Sequence, residues 1–121
     1  MLEAARLNAS IELLTQCEAA WNAERPMPSD IIINRYFKER RFIGSKDRGA
    51  IAAFCYLVIR HYAALNWHAQ EHNMEGMRAL CIAAFLLLNT SEAQAREALA
   101  RLQLAADTPT TYRLNQSVVQ A

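Results

Sequence analysis

Apolar residues recur through the middle of this chain with the spacing of an α-helix. From residue 51 to residue 65 they fall at positions i, i+3, i+4, i+7, i+8, i+11 and i+14. These residues are Ile51, Phe54, Cys55, Val58, Ile59, Tyr62 and Leu65. Alanines and Leu57 cover much of the opposite side, and a helix that is apolar over most of its circumference is buried among other helices. The sequence therefore predicts an all-α fold with a central buried helix.

The same spacing predicts two helices before the central one. The first is expected from about residue 2 to residue 22, and a proline-containing linker follows it. Ser29 is expected to cap the second helix, which has Ile32 and Ile33 on its inner side. Ser45 is expected to cap the central helix in turn.

A second buried helix is predicted after the central one. Its apolar stripe runs from Met77 to Leu88, and residues 66–76 before it are expected to form a polar connection or a short helix. Ser91 and Gln94 have the spacing of a capping box, which predicts a weaker amphipathic helix to about residue 103.

The length and composition of the chain predict one helical domain. Its 121 residues are rich in Ala and Leu, with three Gly and three Pro. We expect a bundle of about five to six helices over residues 1–103, and a linker or frayed tail over residues 104–121. The longest apolar run, Ala79–Leu88, is about half of a membrane span, so no membrane partner is expected.

The location of the protein is predicted from its first residues and its cysteines. The first twenty residues include several charges and no unbroken apolar run, so no signal peptide is expected. Three widely spaced cysteines within apolar stretches favour buried thiols in a reducing compartment. These cysteines are Cys17, Cys55 and Cys81. The sequence therefore predicts a cytoplasmic protein.

Positive charge is concentrated in one segment of an almost neutral chain. The whole sequence has 13 Lys and Arg against 12 Asp and Glu, a net charge of +1. Residues 34–62 contain seven of these cations and two of the acids, which leaves six cations and ten acids elsewhere. Such a cluster favours an anionic partner, and a polyanion such as RNA is the obvious one.

The positive segment offers two arrangements for binding phosphates. One phosphate is expected near Ser45, Lys46 and Arg48, where the first amides of the central helix are free. The other cations of the segment would follow the nucleic-acid backbone. The alternative for the whole cluster is that it is simply a solvated helix end and a solvated loop. The candidate RNA-binding residues are Arg35, Lys38, Arg40, Arg41, Ser45, Lys46, Arg48 and Arg60. For Arg60, a snorkelling surface position is also open.

Several aromatic and histidine residues could bind a base or a metal, but their positions favour structural roles. Tyr36, Phe37 and Phe42 are predicted to pack in the core and at the hinge, with base stacking as the alternative. His68 and His72 have the i, i+4 spacing of a metal pair, but no third ligand is placed, so we interpret them as surface residues. No metal site or catalytic group is predicted, and the chain is not expected to be an enzyme on its own.

The segment Asn34–Arg48 resembles a known pattern, most specifically in its part Arg40–Arg48, which reads Arg-Arg-Phe-Ile-Gly-Ser-Lys-Asp-Arg. Further support comes from Ala50–Ala52, Tyr56–His61 and Leu65–Trp67. The chain resembles the N-terminal domain of bacterial rRNA cytosine-C5 methyltransferases of the RsmB/Sun type. This resemblance covers about residues 4–90.

The resemblance implies a fold and a partner. The N-terminal domain of these enzymes is similar to the antitermination factor NusB, an all-helical RNA-binding fold. For this chain, the resemblance implies a domain that docks on structured rRNA through its basic face. In the full enzymes a catalytic domain follows that binds S-adenosylmethionine, and this chain has neither the glycine-rich loop nor the Pro-Cys or Thr-Cys context of such a domain. No cofactor is therefore expected in this chain.

Two other functions are compatible with the same sequence. NusB-like domains also pair with proteins, so an apolar face left uncovered would make this chain a protein-interaction scaffold or a homodimer. A helix-turn-helix DNA binder is disfavoured, because the helix after Gly44 is almost wholly apolar where a recognition helix presents polar residues to the groove.

Overall fold

A computed structural model of the chain describes residues 1 and 3–87 and the single positions Ala93, Glu97 and Ala100. Over the continuous described range the helices are α1 (Glu3–Trp21), α2 (Ser29–Glu39), α3 (Ser45–Arg60), α4 (Tyr62–Glu71) and α5 (Met77–Leu87). The described residues include no β-strand, so the predicted all-α class is confirmed. The predicted capping box at Ser91 and Gln94 and the predicted tail at residues 104–121 lie outside the described residues.

The chain forms two compact units, of which the first is Met1–Tyr56 and the second begins at Leu57. In the first unit α1 packs against α2. In the second unit α4 packs against α5. Helix α3 begins in the first unit and ends in the second, so its residues are described with the unit to which each belongs.

The first unit buries one face of each of its helices. The buried apolar residues are Leu7, Ala9, Leu13, Leu14 and Cys17 of α1, Ile32, Ile33 and Tyr36 of α2, Ile43 between helices, and Ile51 and Cys55 of α3. The other side of α3 is more open than predicted, because Tyr56 is 44% exposed. Burial raises the pKa of the Cys55 thiol to about 12, so this thiol stays protonated near neutral pH.

Helices α2 and α3 both begin differently from the prediction. Pro28 occupies the N-cap of α2, and Ser29 is its first helical residue. The Ser29 hydroxyl instead accepts a hydrogen bond of 2.7 Å from the Trp21 indole Nε1, which ties the end of α1 to the start of α2. At α3 the carbonyl of Gly44 accepts the first helical hydrogen bond, from the Arg48 amide. Neither serine is therefore the cap residue itself.

The central apolar stripe is divided between two helices, whereas the sequence predicts one. His61 has φ −108° and ψ 21°, outside the helical region, and separates α3 from α4. The backbone hydrogen bonds of His61 are nevertheless helical. Its amide donates to the Leu57 carbonyl, and its carbonyl accepts from the Leu65 amide. No glycine or proline marks this position, and the apolar spacing continues through it. The break therefore leaves no signal in the sequence.

The second unit contains the most deeply buried helix of the described chain. Every residue from Ala79 to Phe85 in α5 is buried, which confirms the prediction of a buried helix there. All three cysteines are buried thiols, as predicted. Within the described ranges, no helix has both the length and the apolar character needed to cross a bilayer.

Candidate nucleic-acid interface

Three of the predicted RNA-binding cations line one open cleft in the first unit. We call this cleft of about 600 Å³ the basic cleft; it is lined by Asn34, Phe37, Lys38, Arg41 and Arg48. Among the described lining residues, none is acidic. Within the described chain, no carboxylate lies at ion-pairing distance from the three cations. Among the described residues, no carboxylate therefore neutralises these three charges.

The helical register of α2 explains why these residues share one wall. Asn34, Phe37 and Lys38 stand at i, i+3 and i+4, and residues at this spacing lie on one side of a helix. The buried residues Ile33 and Tyr36 hold the other side of α2 inside the protein. The amphipathic pattern of α2 thus directs its polar stripe into the cleft.

A short turn between α2 and α3 brings the remaining two cations to the same cleft. The Arg40 amide donates to the Phe37 carbonyl at 3.2 Å, and the Ile43 amide donates to the Arg40 carbonyl at 3.0 Å. The Ile43 side chain is 2% exposed and anchors the turn in the core. Arg41 therefore lines the basic cleft from a hydrogen-bonded turn, and Arg48 lines it from the first turn of α3.

Arg40 differs from the other cations because the protein itself uses its charge. Its Nη2 donates to Glu12 of α1 at 2.9 Å, and a longer ion pair of 3.7 Å joins it to Glu39. Its guanidinium also lies 3.8 Å from the ring centroid of Tyr36, within cation–π range. Arg40 thus connects α1 to the end of α2, and it does not line the basic cleft.

Asp47 lies close in sequence to the cleft cations, but its carboxylate is bound to another helix. The Arg6 Nε of α1 donates to Asp47 Oδ1 at 2.7 Å. This contact lowers the pKa of the Asp47 carboxyl from its usual value. Because Arg6 takes this charge, Asp47 does not neutralise Arg48 or line the cleft.

The other candidate residues do not belong to the cleft lining. Arg35 is exposed, and its guanidinium contacts the Met27 sulfur at 3.7 Å. Ser45 and Lys46 are exposed in the first turn of α3. Arg60 is the exposed last residue of α3 and belongs to the second unit. Sequence reasoning missed Asn34 and Phe37 as lining residues, although Phe37 and Lys38 stand three and four residues after Asn34, on the same side of α2.

The three aromatic residues of the basic segment have three different environments. Tyr36 is 3% exposed and belongs to the core, which confirms its prediction. Phe37 is half-buried and packs edge-on against Tyr36, with ring centroids 5.6 Å apart. Phe42 is 80% exposed, so the prediction that it packs at the hinge is wrong. The core contact expected of Phe42 is made by its neighbour Ile43.

His68 also differs from its prediction, because it is buried in the second unit. Its ring stacks on His72 at 6.4 Å between centroids, and Trp67 meets it edge-on. Neither of its ring nitrogens has a hydrogen-bond partner among the described residues. The described residues contain no group of three His, Cys, Asp or Glu side chains suited to hold a metal.

Acid is expected to destabilise the fold through His68. Burial, with a smaller contribution from His72, lowers the pKa of His68 below its ordinary value of 6.5. The unfolded chain therefore takes up a proton that the folded chain resists, and stability falls as the pH drops below 6.5. The slope from one proton is at most about 1.4 kcal/mol per pH unit. Urea unfolding at several pH values should show a smaller loss in His68→Leu, and an unchanged pH dependence would contradict this role.

In comparisons with known proteins, no family model, no curated protein and no solved structure matches this chain.

Proposed function

We propose that this chain is an RNA-binding domain that docks on structured RNA through the basic cleft. The observation that carries the proposal is the set of Lys38, Arg41 and Arg48 around one cleft, with no carboxylate among the described lining residues. A concave surface with charge of one sign concentrates the electrostatic field and attracts a polyanion. Phosphate contacts supply most of the affinity of such interfaces and fix their orientation.

The resemblance in the segment Asn34–Arg48 makes the proposal more specific. It favours rRNA as the RNA, and it favours an accessory role beside an S-adenosylmethionine-dependent rRNA cytosine-5 methyltransferase in the cytoplasm. The chain would itself bind no cofactor and catalyse no reaction. Its contribution would be to hold the enzyme on its substrate through phosphate contacts, with little reading of base sequence.

The direct test is fluorescence anisotropy of the whole chain with a labelled rRNA hairpin, titrated from low to moderate salt. We expect micromolar binding whose logarithm falls linearly with the logarithm of salt concentration. Three phosphate contacts predict a slope of about −2 to −3, at roughly 0.7 to 0.9 per contact. An absence of binding at low salt would end the proposal.

The alternative is a protein-interaction scaffold or dimerisation domain. Its support is the exposure of large apolar side chains at Ile31, Tyr56 and Trp67. Single exposed apolar residues are common on monomeric proteins, so this support is weaker than that of the basic cleft. Self-association in sedimentation at low micromolar concentration, together with no affinity for RNA, would favour this alternative.

A further inference from the structure

Phe42 is the most exposed large apolar residue of the described chain, at 80%. Full burial of a Phe side chain favours the folded state by about ten- to a hundredfold, and Phe42 forgoes most of this stabilisation. A single exposed apolar residue needs no explanation by itself. The surroundings of Phe42 separate it from the other exposed residues.

The backbone beside Phe42 is fixed, although its ring is exposed. The preceding residue, Arg41, lines the basic cleft, and the following residue, Ile43, is buried. The hydrogen bond from the Ile43 amide to the Arg40 carbonyl closes the turn around it. Arg40 is held in turn by Glu12 and Tyr36. The protein therefore holds an exposed ring on an anchored turn next to a cation of the cleft.

We propose that Phe42 stacks on an unpaired nucleobase of the RNA whose phosphates occupy the basic cleft. This inference rests on the proposed function and adds the class of RNA that is bound, namely RNA with unpaired nucleotides beside its stem. Aromatic rings between cations are the combination that binds single-stranded nucleic acid, because the cations follow the backbone while the rings take the bases. In a fully paired stem the bases are stacked on each other and offer no free face.

Phe42 and the cleft cations would contribute to RNA affinity in different ways. The cations supply a salt-dependent attraction that any RNA shares. The ring supplies an attraction that does not depend on counterion release and is present only when a base is free. The two parts therefore predict different responses to salt and to RNA structure.

The test compares two RNAs of equal phosphate number, a hairpin with a loop of unpaired nucleotides and a blunt duplex. Anisotropy is measured for the full wild-type chain and for Phe42→Ala, Phe42→Leu and Phe42→Trp over a salt series. We expect Phe42→Ala and Phe42→Leu to bind the hairpin about 5- to 100-fold more weakly, with an unchanged salt slope. Phe42→Trp should bind it as tightly as wild type, and all four proteins should bind the duplex alike.

Three outcomes would overturn the inference. If Phe42→Ala binds the hairpin as tightly as wild type, with a normal salt slope, stacking is wrong while the proposed function stands. If Phe42→Leu binds as tightly as wild type, apolar bulk rather than an aromatic face is needed. If wild type binds neither RNA and Phe42→Ala loses self-association in sedimentation, Phe42 belongs to a protein interface and the proposed function fails with the inference.

Discussion

Reversing the three cleft charges together, in Lys38→Glu/Arg41→Glu/Arg48→Glu, is expected to lower the affinity for a structured RNA by at least about a hundredfold near 0.1 M salt. Each phosphate contact contributes about a factor of five to eight at that salt concentration through counterion release, and three contacts multiply. The new carboxylates also repel the phosphates, which increases the loss. The slope of log affinity against log salt should become flatter by about 2 to 3.

The same triple variant should remain folded, because the described structure gives none of the three cations a carboxylate partner. Reversing them breaks no ion pair among the described residues, and it exchanges repulsion among three cations for a similar repulsion among three carboxylates. Circular dichroism and thermal unfolding should therefore match wild type within a few degrees. A loss of RNA affinity in a folded variant can then be assigned to the cleft.

Arg25→Glu provides the matched control for the single reversal Arg41→Glu, because both change the net charge by the same amount. Arg25 is exposed in the linker between α1 and α2 and does not line the basic cleft. Its reversal tests how much any surface charge of this unit contributes through the general field. The proposal expects a change of less than about threefold for Arg25→Glu. If Arg25→Glu weakens binding as much as Arg41→Glu alone, the cleft is not a distinct site.

A reversal of Arg40 would not report on the cleft alone. Reversing it would break the 2.9 Å ion pair with Glu12 and the contact with Tyr36, so affinity and stability would change together. Sequence reasoning counts Arg40 among the phosphate-binding residues because it lies between other cations. Its partner Glu12 lies 28 residues earlier, on another helix. An ion pair over such a distance in sequence cannot be read from local spacing.

Periodicity was enough to predict the class of fold and the position of most helices. The start of α5 at Met77 and the burial of Ile33 and Tyr36 follow directly from apolar spacing. Apolar spacing could not show which of two adjacent apolar residues in a turn is buried in the core. Ile43 is buried and Phe42 is exposed, and both are apolar residues with no regular period around them. The closing hydrogen bonds of the turn make this choice.

The candidate site shows the same limit. The composition of residues 34–48 indicates a basic segment, and it does not indicate which cations remain free. The structure separates them through tertiary partners: Arg40 is bound by Glu12, whereas Lys38, Arg41 and Arg48 surround one cleft. The neighbouring acid Asp47 is removed from the cleft by its contact with Arg6, another residue far away in sequence.

Ile33→Ala is expected to lower the free energy of unfolding by about 2 to 5 kcal/mol. Ile33 is 3% exposed, so truncation removes buried methyl and methylene groups and leaves a cavity between α2 and its neighbours. Against a total stability of about 5 to 15 kcal/mol for a small domain, this loss is large. Urea unfolding followed by circular dichroism at 222 nm, the α-helical band, should show a lower midpoint with a similar slope.

Ile31→Ala makes the identical chemical change two residues earlier in the same helix. Ile31 is 49% exposed, so its truncation leaves no buried cavity. Ala also has a higher helix propensity than Ile by a few tenths of a kcal/mol. We expect its stability to stay within about 0.5 kcal/mol of wild type. The comparison isolates burial from composition, since both variants replace Ile by Ala. Equal losses in the two variants would mean that α2 is rotated from the orientation described here, and Asn34 and Lys38 would then no longer face the basic cleft.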